Sequence, residues 1–349
     1  MVKNRQVLSK GKASAGVIGV NMKRIYAYLM ILALLLSLTA CGATNDQETV
    51  PVSVDQAALS DVIRETGSFL KSAVTDPGFG SVGGEWLILG LARSDLDIPE
   101  EYFETYFQNL SAYTAQLGGV LHNKKYTEYS RVILAVTAIG KEPTDVGGYN
   151  MLKPLADFEK TVFQGINGPI FALLALNSGN YEIPKLEGDG VQATREAYVD
   201  YILTAQLSDG GWALSGNTAD VDITAMALQA LANYKDDSKV SKAIDKGLAF
   251  LASKQNADGG FTAYDAESSE SVAQVLVALT ELGVPMNDAR FVKNGKTLVD
   301  VLLGYRRADG GFSHLPDGKT DLLATEQAFY ALVAVSRMLA GEASLYSMK

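Results

Sequence analysis

The chain has 349 residues, of which 47% are apolar, and a single cysteine and two histidines. Residues 41–349 contain 24 basic and 40 acidic side chains, a net charge of 24 − 40 = −16, which argues against nucleic acid as the main partner. The cysteine and histidine counts exclude a disulfide framework and a structural zinc site of four cysteines, or of two cysteines and two histidines.

The N-terminus predicts export from the cytoplasm. Lys23 and Arg24 precede an apolar run, 25–38, that is broken only by Ser37. That run has the length of a signal-peptide core and is short for a membrane span. It ends in Leu38-Thr39-Ala40-Cys41-Gly42, which resembles the lipobox of bacterial lipoproteins.

This resemblance implies that Cys41 carries lipid, palmitate among it, and becomes the first residue of the mature protein. We expect residues 1–40 to be a signal peptide whose true start is Met22, and residues 41–55 to be a flexible polar tether. Two or more acyl chains hold a protein stably on a membrane. The expected location is the extracytoplasmic face of a bacterial cell membrane, and an uncleaved anchor helix is the alternative.

From residue 56 onward, predicted helices follow one another in pairs, and most pairs are joined by a loop that contains Gly-Gly. The first three pairs are marked by Gly83-Gly84 before a helix at 86–92, by Gly118-Gly119 before a helix at 129–139, and by two helices at 149–164 and 169–176 without the glycines. No stretch alternates with the period of a strand, so residues 56–349 are predicted to be all-α.

The last three pairs share a stronger signature, Asp-Gly-Gly followed by an aromatic residue, at spacings of 49 and 51 residues. The helices after it are predicted at 224–231, 272–279 and 325–332. The three copies are Asp209-Gly210-Gly211-Trp212, Asp258-Gly259-Gly260-Phe261 and Asp309-Gly310-Gly311-Phe312.

The second helix of each pair is apolar nearly all round, which predicts that it is enclosed on every side, whereas the first helix has one polar face. Six such pairs favour an α/α toroid, with an inner apolar ring and an outer amphipathic ring. A closed ring needs no capping repeats. The glycines let each turn pass close to a neighbour, and the aromatic residue fills the gap between units.

Two segments carry a family resemblance. Residues 246–261 resemble the QW repeat of squalene and oxidosqualene cyclases, with Phe261 for the final tryptophan, and residues 201–212 are a partial copy that keeps Trp212. Residues 222–346 are similar to bacterial surface proteins that carry these repeats. The chain thus resembles the prenyltransferase/squalene-cyclase-like toroid superfamily. The cobalamin carriers share this toroid, which gives a ligand-carrying function family support.

The cyclase resemblance implies a candidate acid. Class II terpene cyclases protonate an alkene with an Asp-x-Asp-Asp-Thr-Ala motif, and the matching segment is Asp220-Val221-Asp222-Ile223-Thr224-Ala225. Asp222 matches the proton donor, and Asp220 is the other candidate catalytic residue. Ile223 replaces the last aspartate, and the second helical domain of the cyclases is missing. The alternative is that both aspartates cap a helix.

Protein prenyltransferases share the toroid but hold zinc with Asp, Cys and His. Cys41, the only cysteine, is assigned to the lipid, so this activity is excluded. No cofactor is identified. His122 and His314 each lie three residues after a Gly-Gly turn and are weak candidates for metal ligands.

Acidic and aromatic residues recur where inner helices begin, which predicts a ligand-binding mouth at that end of the ring. The acids could bind a cation or supply the carboxylate pair of a glycosidase, or they could only compensate helix dipoles. Trp86, Tyr126 and Tyr264 are the aromatic residues expected to be exposed. The candidate ligand-binding residues are Glu85, Trp86, Tyr126, Glu128, Trp212, Tyr264, Glu270, His314 and Glu326.

The sequence therefore favours a membrane-anchored protein that binds an unidentified small molecule or surface partner at the mouth of its toroid. A different hypothesis is an enzyme, either a cyclase-like acid catalyst that uses Asp222 or a carbohydrate-active enzyme with two carboxylates. A third is a scaffold whose axis is filled by bulky side chains.

Overall fold

Helices dominate the computed structural model, which describes residues 53–263 and 266–348. Twelve α-helices lie in this part of the chain, and residues 51–349 form one compact unit. The helices are α1 (Gln56–Ala73), α2 (Glu85–Arg93), α3 (Glu100–Gln116), α4 (Thr127–Ala138), α5 (Phe158–Val162), α6 (Asn167–Ser178), α7 (Arg195–Thr204), α8 (Val221–Leu231), α9 (Ser238–Lys254), α10 (Ser269–Leu282), α11 (Leu298–Leu303) and α12 (Leu322–Ala340).

The six even-numbered helices form a closed inner ring. Each contacts the next along the chain, and α12 returns to contact α2. The odd-numbered helices lie outside, and four of them pack against the inner helix of the preceding unit: α7 on α6, α9 on α8, α11 on α10, and α1 on α12. The predicted α/α toroid of helix pairs is confirmed.

Inner helices are buried on almost every side because their sequences are almost wholly apolar. In α6 and α8 nearly every residue is buried, whereas α9 buries one face and exposes lysines on the other. This contrast follows from position, since an inner helix has neighbours on both flanks and an outer helix behind it. None of the helices in the described residues is both long and apolar enough to cross a membrane.

Each Asp-Gly-Gly turn packs tightly against the next outer helix or loop. Gly210 has a φ of 92°, and a Cβ there would lie 2.7 Å from the carbonyl oxygen of Lys246 in α9, so only glycine fits. Gln206 holds the turn in place, because its Nε2 donates to the carbonyls of Gly210 (2.8 Å) and Ala243 (2.9 Å). The glutamine of the QW-like repeat therefore joins one unit to the next.

At the seam of the ring an arginine replaces that glutamine. Arg306 forms an ion pair with Glu65 in α1. Beside it, the hydroxyl of Thr66 donates a buried hydrogen bond of 2.9 Å to the carbonyl of Gly310. The last turn of the chain is thereby attached to its first described helix.

The aromatic residues after the Gly-Gly turns fill the gaps between units, as predicted. Trp212, Phe261 and Phe312 are fully buried. The indole of Trp212 donates from Nε1 to the carbonyl of Ile202 (2.7 Å) and lies against Gly247 of α9, where a Cβ would approach it to 2.9 Å. It therefore connects α7 to α9.

Two details of the predicted secondary structure are wrong. The helix expected at 149–164 is a tight turn followed by a 3₁₀-helix, Lys153–Ala156, and the short α5. Asp157 starts α5 by accepting a hydrogen bond from the backbone of Lys160 (3.1 Å), which divides the segment. Four two-residue strands, too short to show alternation, were also missed: β1 (Thr262–Ala263), β2 (Ala266–Glu267), β3 (Phe312–Ser313) and β4 (Thr320–Asp321).

Residues 341–348 cross the end of the ring where the inner helices finish. Arg93, at the end of α2, donates to the carbonyl of Ser344 (2.8 Å), and the Ser344 hydroxyl donates to Glu281 of α10 (2.7 Å). The backbone of Met348 donates to the carbonyl of Ser178, the last residue of α6 (2.9 Å). This end is covered, so the mouth is at the opposite end, where the inner helices begin.

Candidate functional site

A layer of half-buried side chains marks the mouth of the ring. Outer helices cover the backs of the inner helices, so a partly exposed residue among fully buried neighbours faces the axis. Each inner helix contributes one such residue: Trp86, Arg131, Phe171, Met226, Gln274 and Gln327. One helical turn closer to the rim lies a second set of half-buried residues: Thr127, Asn167, Asp222, Glu270 and Leu323.

At the level of this layer the axis is not an open tube. The ring of Trp86 lies 5.9 Å from that of Phe171 and 5.9 Å from that of Tyr330, centroid to centroid. Because α2 and α6 are not neighbours in the ring, the first of these contacts crosses its interior. Bulky side chains therefore fill the axis at this level, as the scaffold hypothesis expects.

A chain of amides runs down from the mouth layer. Gln274 donates from Nε2 to Gln327 (3.0 Å) and to the hydroxyl of Tyr330 (2.7 Å), and it accepts from Gln229 (3.0 Å). The hydroxyl of Tyr346 in turn donates to Gln229 (3.3 Å). Neutral groups thus hold one side of the mouth in a fixed arrangement.

The two candidate catalytic aspartates have different surroundings. Asp220 caps α8, because its Oδ1 accepts from the backbones of Asp222 (2.9 Å) and Ile223 (3.0 Å), so the capping alternative holds for Asp220. Burial raises the pKa of Asp222 to about 6, although a hydrogen bond from Ser271 lowers it. Its Oδ1 is buried and has no hydrogen-bond partner within residues 53–263 and 266–348. Asp222 can therefore carry a proton at mildly acidic pH.

Glu270 and His314, predicted separately, form one pair beside Asp222. The Nδ1 of His314 lies 2.9 Å from both carboxylate oxygens of Glu270, and the hydroxyl of Ser269 donates to the same carboxylate (3.1 Å). His314 follows β3, so the β3–β4 hairpin brings it over the start of α10. The negative charges of Asp220 and Glu270 contribute to the raised pKa of Asp222.

On the opposite side, Arg131 joins two of the predicted acids. Its guanidinium lies 3.1 Å from Glu85 and 2.5 Å from Glu128. Glu85 is fully buried and also accepts from the backbone of Gly80 (3.1 Å). Burial outweighs these partners and raises its pKa to about 7.

Glu326 is also fully buried, under the glycine-rich loop 78–84. Its Oε1 accepts from the backbone of Gly83 (2.7 Å), and its Oε2 has no partner among the residues that the structure describes. Burial, with a smaller contribution from the nearby Glu85, raises its pKa to about 8. The expectation that Glu85 and Glu326 offer their carboxylates to a ligand at the mouth is corrected, because both are enclosed and hold backbone amides of the loop.

Two of the aromatic site candidates are also corrected. Trp212 is fully buried between units and cannot contact a ligand, and Tyr126 is buried with its ring 5.4 Å from that of Tyr129. Trp86 is partly exposed, as predicted. Tyr264 and Cys41 lie outside the described residues.

The two histidines are not supported as metal ligands. The Nδ1 of His122 accepts hydrogen bonds from the backbones of Lys124 and Lys125, both 3.0 Å long, so it holds a turn. Within 53–263 and 266–348, no three histidine, cysteine, aspartate or glutamate side chains form a group that could hold a metal ion.

Sequence reasoning missed every mouth-layer residue except Trp86, although a signal existed. Met226 lies four residues after Asp222, and Gln274 lies four residues after Glu270. Residues four apart share one face of a helix. Counting four residues on from the acid at the start of α8 or α10 therefore identifies the mouth-layer residue of that helix.

Residues 200–282 match the model of the squalene-hopene cyclase C-terminal domain. No curated protein matches the sequence. Among solved structures, an apo variant of the type II terpene cyclase MstE from Scytonema is 15% identical. The superposition covers 81% of this chain and 98% of that chain, with a TM-score of 0.54. The unsaturated glucuronyl hydrolase from Bacillus sp. GL1 is 10% identical, with coverages of 84% and 100% and a TM-score of 0.50. A glycosidase variant in complex with glucose is 12% identical, with coverages of 81% and 99% and a TM-score of 0.52.

Nearly the whole chain of the cyclase MstE superposes on this single toroid, so the expectation that such a cyclase has a second helical domain does not hold for MstE. At these identities the likeness concerns the fold and leaves activity open. The chain has an α/α-toroid fold, and its segment 200–282 is similar to the C-terminal domain of squalene-hopene cyclase.

Proposed function

We propose that this protein is anchored by lipid to the extracytoplasmic face of a bacterial membrane and binds a small molecule at the mouth of its toroid. The observation that carries the proposal is the half-buried layer inside an inner ring that is otherwise fully buried. Trp86 and Phe171 meet across the axis, but all six side chains of the layer remain partly exposed and so can contact a ligand from the rim. Here it mixes aromatic, thioether, amide and guanidinium groups, as binding sites do.

The distribution of these groups suggests the ligand's chemistry. Trp86, Phe171 and Met226 give the mouth an apolar side, whereas Gln274 and Gln327 give it a neutral polar side. Arg131 is already engaged by two carboxylates. This arrangement fits a mainly apolar molecule with one uncharged polar group, such as an isoprenoid alcohol.

A second candidate function, acid catalysis of the class II terpene cyclase type, is favoured by Asp222. It combines a pKa raised to about 6, a carboxylate oxygen without a partner and a hydroxyl neighbour, Ser271. A general acid needs this ability to hold and release a proton at the working pH. Ile223 in place of the motif's last aspartate and the filled axis argue for binding without turnover.

One titration tests both candidates, because the chain has only two tryptophans, Trp86 in the mouth and Trp212 in the core. We expect farnesol to shift the fluorescence of the 51–349 body saturably. The Trp86→Phe variant keeps Trp212 as its only emitter and should show no shift. Product analysis of the same samples by mass spectrometry reports turnover.

The outcomes separate the hypotheses. Binding without product supports a binding protein, whereas product that disappears in Asp222→Asn with binding retained supports the acid catalyst. A shift with glucose and none with farnesol would favour the carbohydrate-active alternative. No saturable change with either compound would contradict a ligand-binding mouth.

The proposed anchor has its own test. Cys41→Ser should move the protein from the membrane fraction to the soluble fraction or leave its signal segment uncleaved, because no acyl chain can be attached. Thr44→Ala, three residues further on, should remain in the membrane fraction. Mass spectrometry of the wild type should find an acylated N-terminal cysteine; an intact unmodified N-terminus would show an uncleaved anchor helix instead.

A further inference from the structure

A second cavity lies outside the ring, between units two and three. It has a volume of about 460 Å³ and is bordered by the turn at Gly119, the segment 144–160 and residues 185–187. None of the six mouth-layer residues lines it. Its size is in the range of cavities that hold one or two sugar units or another small molecule.

Two tyrosines border this outer cleft, of which Tyr149 is exposed and Tyr126 is largely buried. Tyr149 closes a tight hairpin, in which its backbone and that of Val146 exchange hydrogen bonds of 2.9 and 3.1 Å. Its ring packs directly on Gly119, where a Cβ would lie 2.2 Å from the ring. Tyr126 lines the same cleft from the start of α4. Flat aromatic faces of this kind pack against the C–H faces of sugar rings.

The charged groups of the outer cleft are mainly basic, in contrast to the rest of the molecule. Lys160 pairs with Asp157 (2.9 Å) and Lys153 with Glu187 (3.0 Å), whereas Lys185 is exposed and forms no ion pair within the described residues. Three lysines against two acids leave 3 − 2 = +1 in the cleft, while residues 41–349 have a net charge of −16. An anion is therefore attracted here and repelled elsewhere.

Asn150 adds a neutral donor. Its Oδ1 accepts from the backbone of Leu152 (2.8 Å), and its amide nitrogen has no protein acceptor among the described residues. The fixed oxygen orients the side chain, so the NH₂ group is available to a hydroxyl or carboxylate of a ligand.

We propose that the outer cleft binds an anionic saccharide, a sugar unit that carries a carboxylate or a phosphate. Tyr149 would pack on the sugar ring, Asn150 would bind hydroxyl groups, and Lys185 would pair with the anionic group through a charge-assisted hydrogen bond. The cleft is separate from the ring's mouth, so this inference does not depend on the proposed function.

Isothermal titration calorimetry on the full-length protein in detergent tests it with three soluble probes: trigalacturonate, glucose 6-phosphate and uncharged maltotriose. We expect binding of one or both anions and much weaker binding of maltotriose, and the two anions distinguish carboxylated from phosphorylated sugars. Lys185→Gln and Tyr149→Ala should each lower the affinity by about fivefold or more.

The controls are an exposed lysine elsewhere and the ring's own tryptophan. Lys242→Gln on α9 and Trp86→Phe should leave saccharide affinity unchanged. Lys185 is exposed, so its replacement does not threaten the fold. Equal binding of maltotriose, no binding of either anion, or an affinity that Lys185→Gln leaves unchanged would each overturn the proposal.

Discussion

Trp212→Ala should lower the free energy of unfolding by about 3–5 kcal/mol, the largest loss that we expect from a single truncation in the repeats. The indole is fully buried between α7 and α9, and its Nε1 donates to the carbonyl of Ile202. The change opens a cavity between two units and leaves that carbonyl without its donor. Urea denaturation followed by far-UV circular dichroism measures the effect.

Leu214 provides the matched control, two residues further along the same loop. Its side chain is exposed, so Leu214→Ala should change the stability by no more than about 0.5 kcal/mol. A loss below about 1 kcal/mol in Trp212→Ala would mean that the aromatic residue of the repeat does not hold neighbouring units together.

Glu326→Gln should stabilise the protein at pH 8 and have little effect at pH 5. Burial raises the pKa of Glu326 from 4.5 to about 8 in the folded state. Between these two values the unfolded chain releases a proton that the folded chain keeps, so the stability that this proton provides is lost as the pH rises. The glutamine variant has no such proton and retains the oxygen that accepts from Gly83.

The expected size of this effect is roughly 2–4 kcal/mol between pH 5 and pH 8. The same sign applies to Asp222, Glu85 and Glu281, whose pKa values burial raises to about 6, 7 and 7. We therefore expect the wild type to be more stable at pH 5 than at pH 8. Chemical denaturation at both pH values provides the measurement.

Asp317→Asn serves as the comparison, since Asp317 is exposed on the β3–β4 hairpin and its charge is solvated. This variant should show the same pH dependence as the wild type. If Glu326→Gln also follows the wild-type curve, the carboxyl of Glu326 is already ionised at pH 5, and its burial does not govern the pH response.

The sequence was sufficient to predict the toroid because its repeat has a direct structural meaning. Gly210 is required where the turn meets Lys246, and Trp212 is required where two units leave a gap. The requirement for a glycine in the turn and for an aromatic residue after it recurs in each of the last three units, so the pattern is visible in a single sequence. The ring itself followed from the contrast between apolar and amphipathic helices.

The sites were predicted less well because the sequence does not show how deeply a helix start is buried. Glu85 and Glu326 each directly precede a mouth-layer residue, whereas Glu270 lies one helical turn closer to the rim. The glycine-rich loop 78–84 covers the first two acids, and His314 reaches the third. The amide chain around Gln274 depends on three helices at once and has no local signal. A hairpin forms at Tyr149 where a helix was predicted, because contacts within the loop outweigh the helical spacing of the apolar residues.

The seam between α1 and α12 has a consequence for how the chain matures. The main helical partner of α1, α12, lies some 250 residues away, so this helix lacks most of its packing until almost all of the body has been made. Neighbouring pairs can assemble as they emerge, but the circle is completed last and at a high cost in loop entropy. Until then, the apolar face of α1 is the surface with the greatest need of a protecting chaperone.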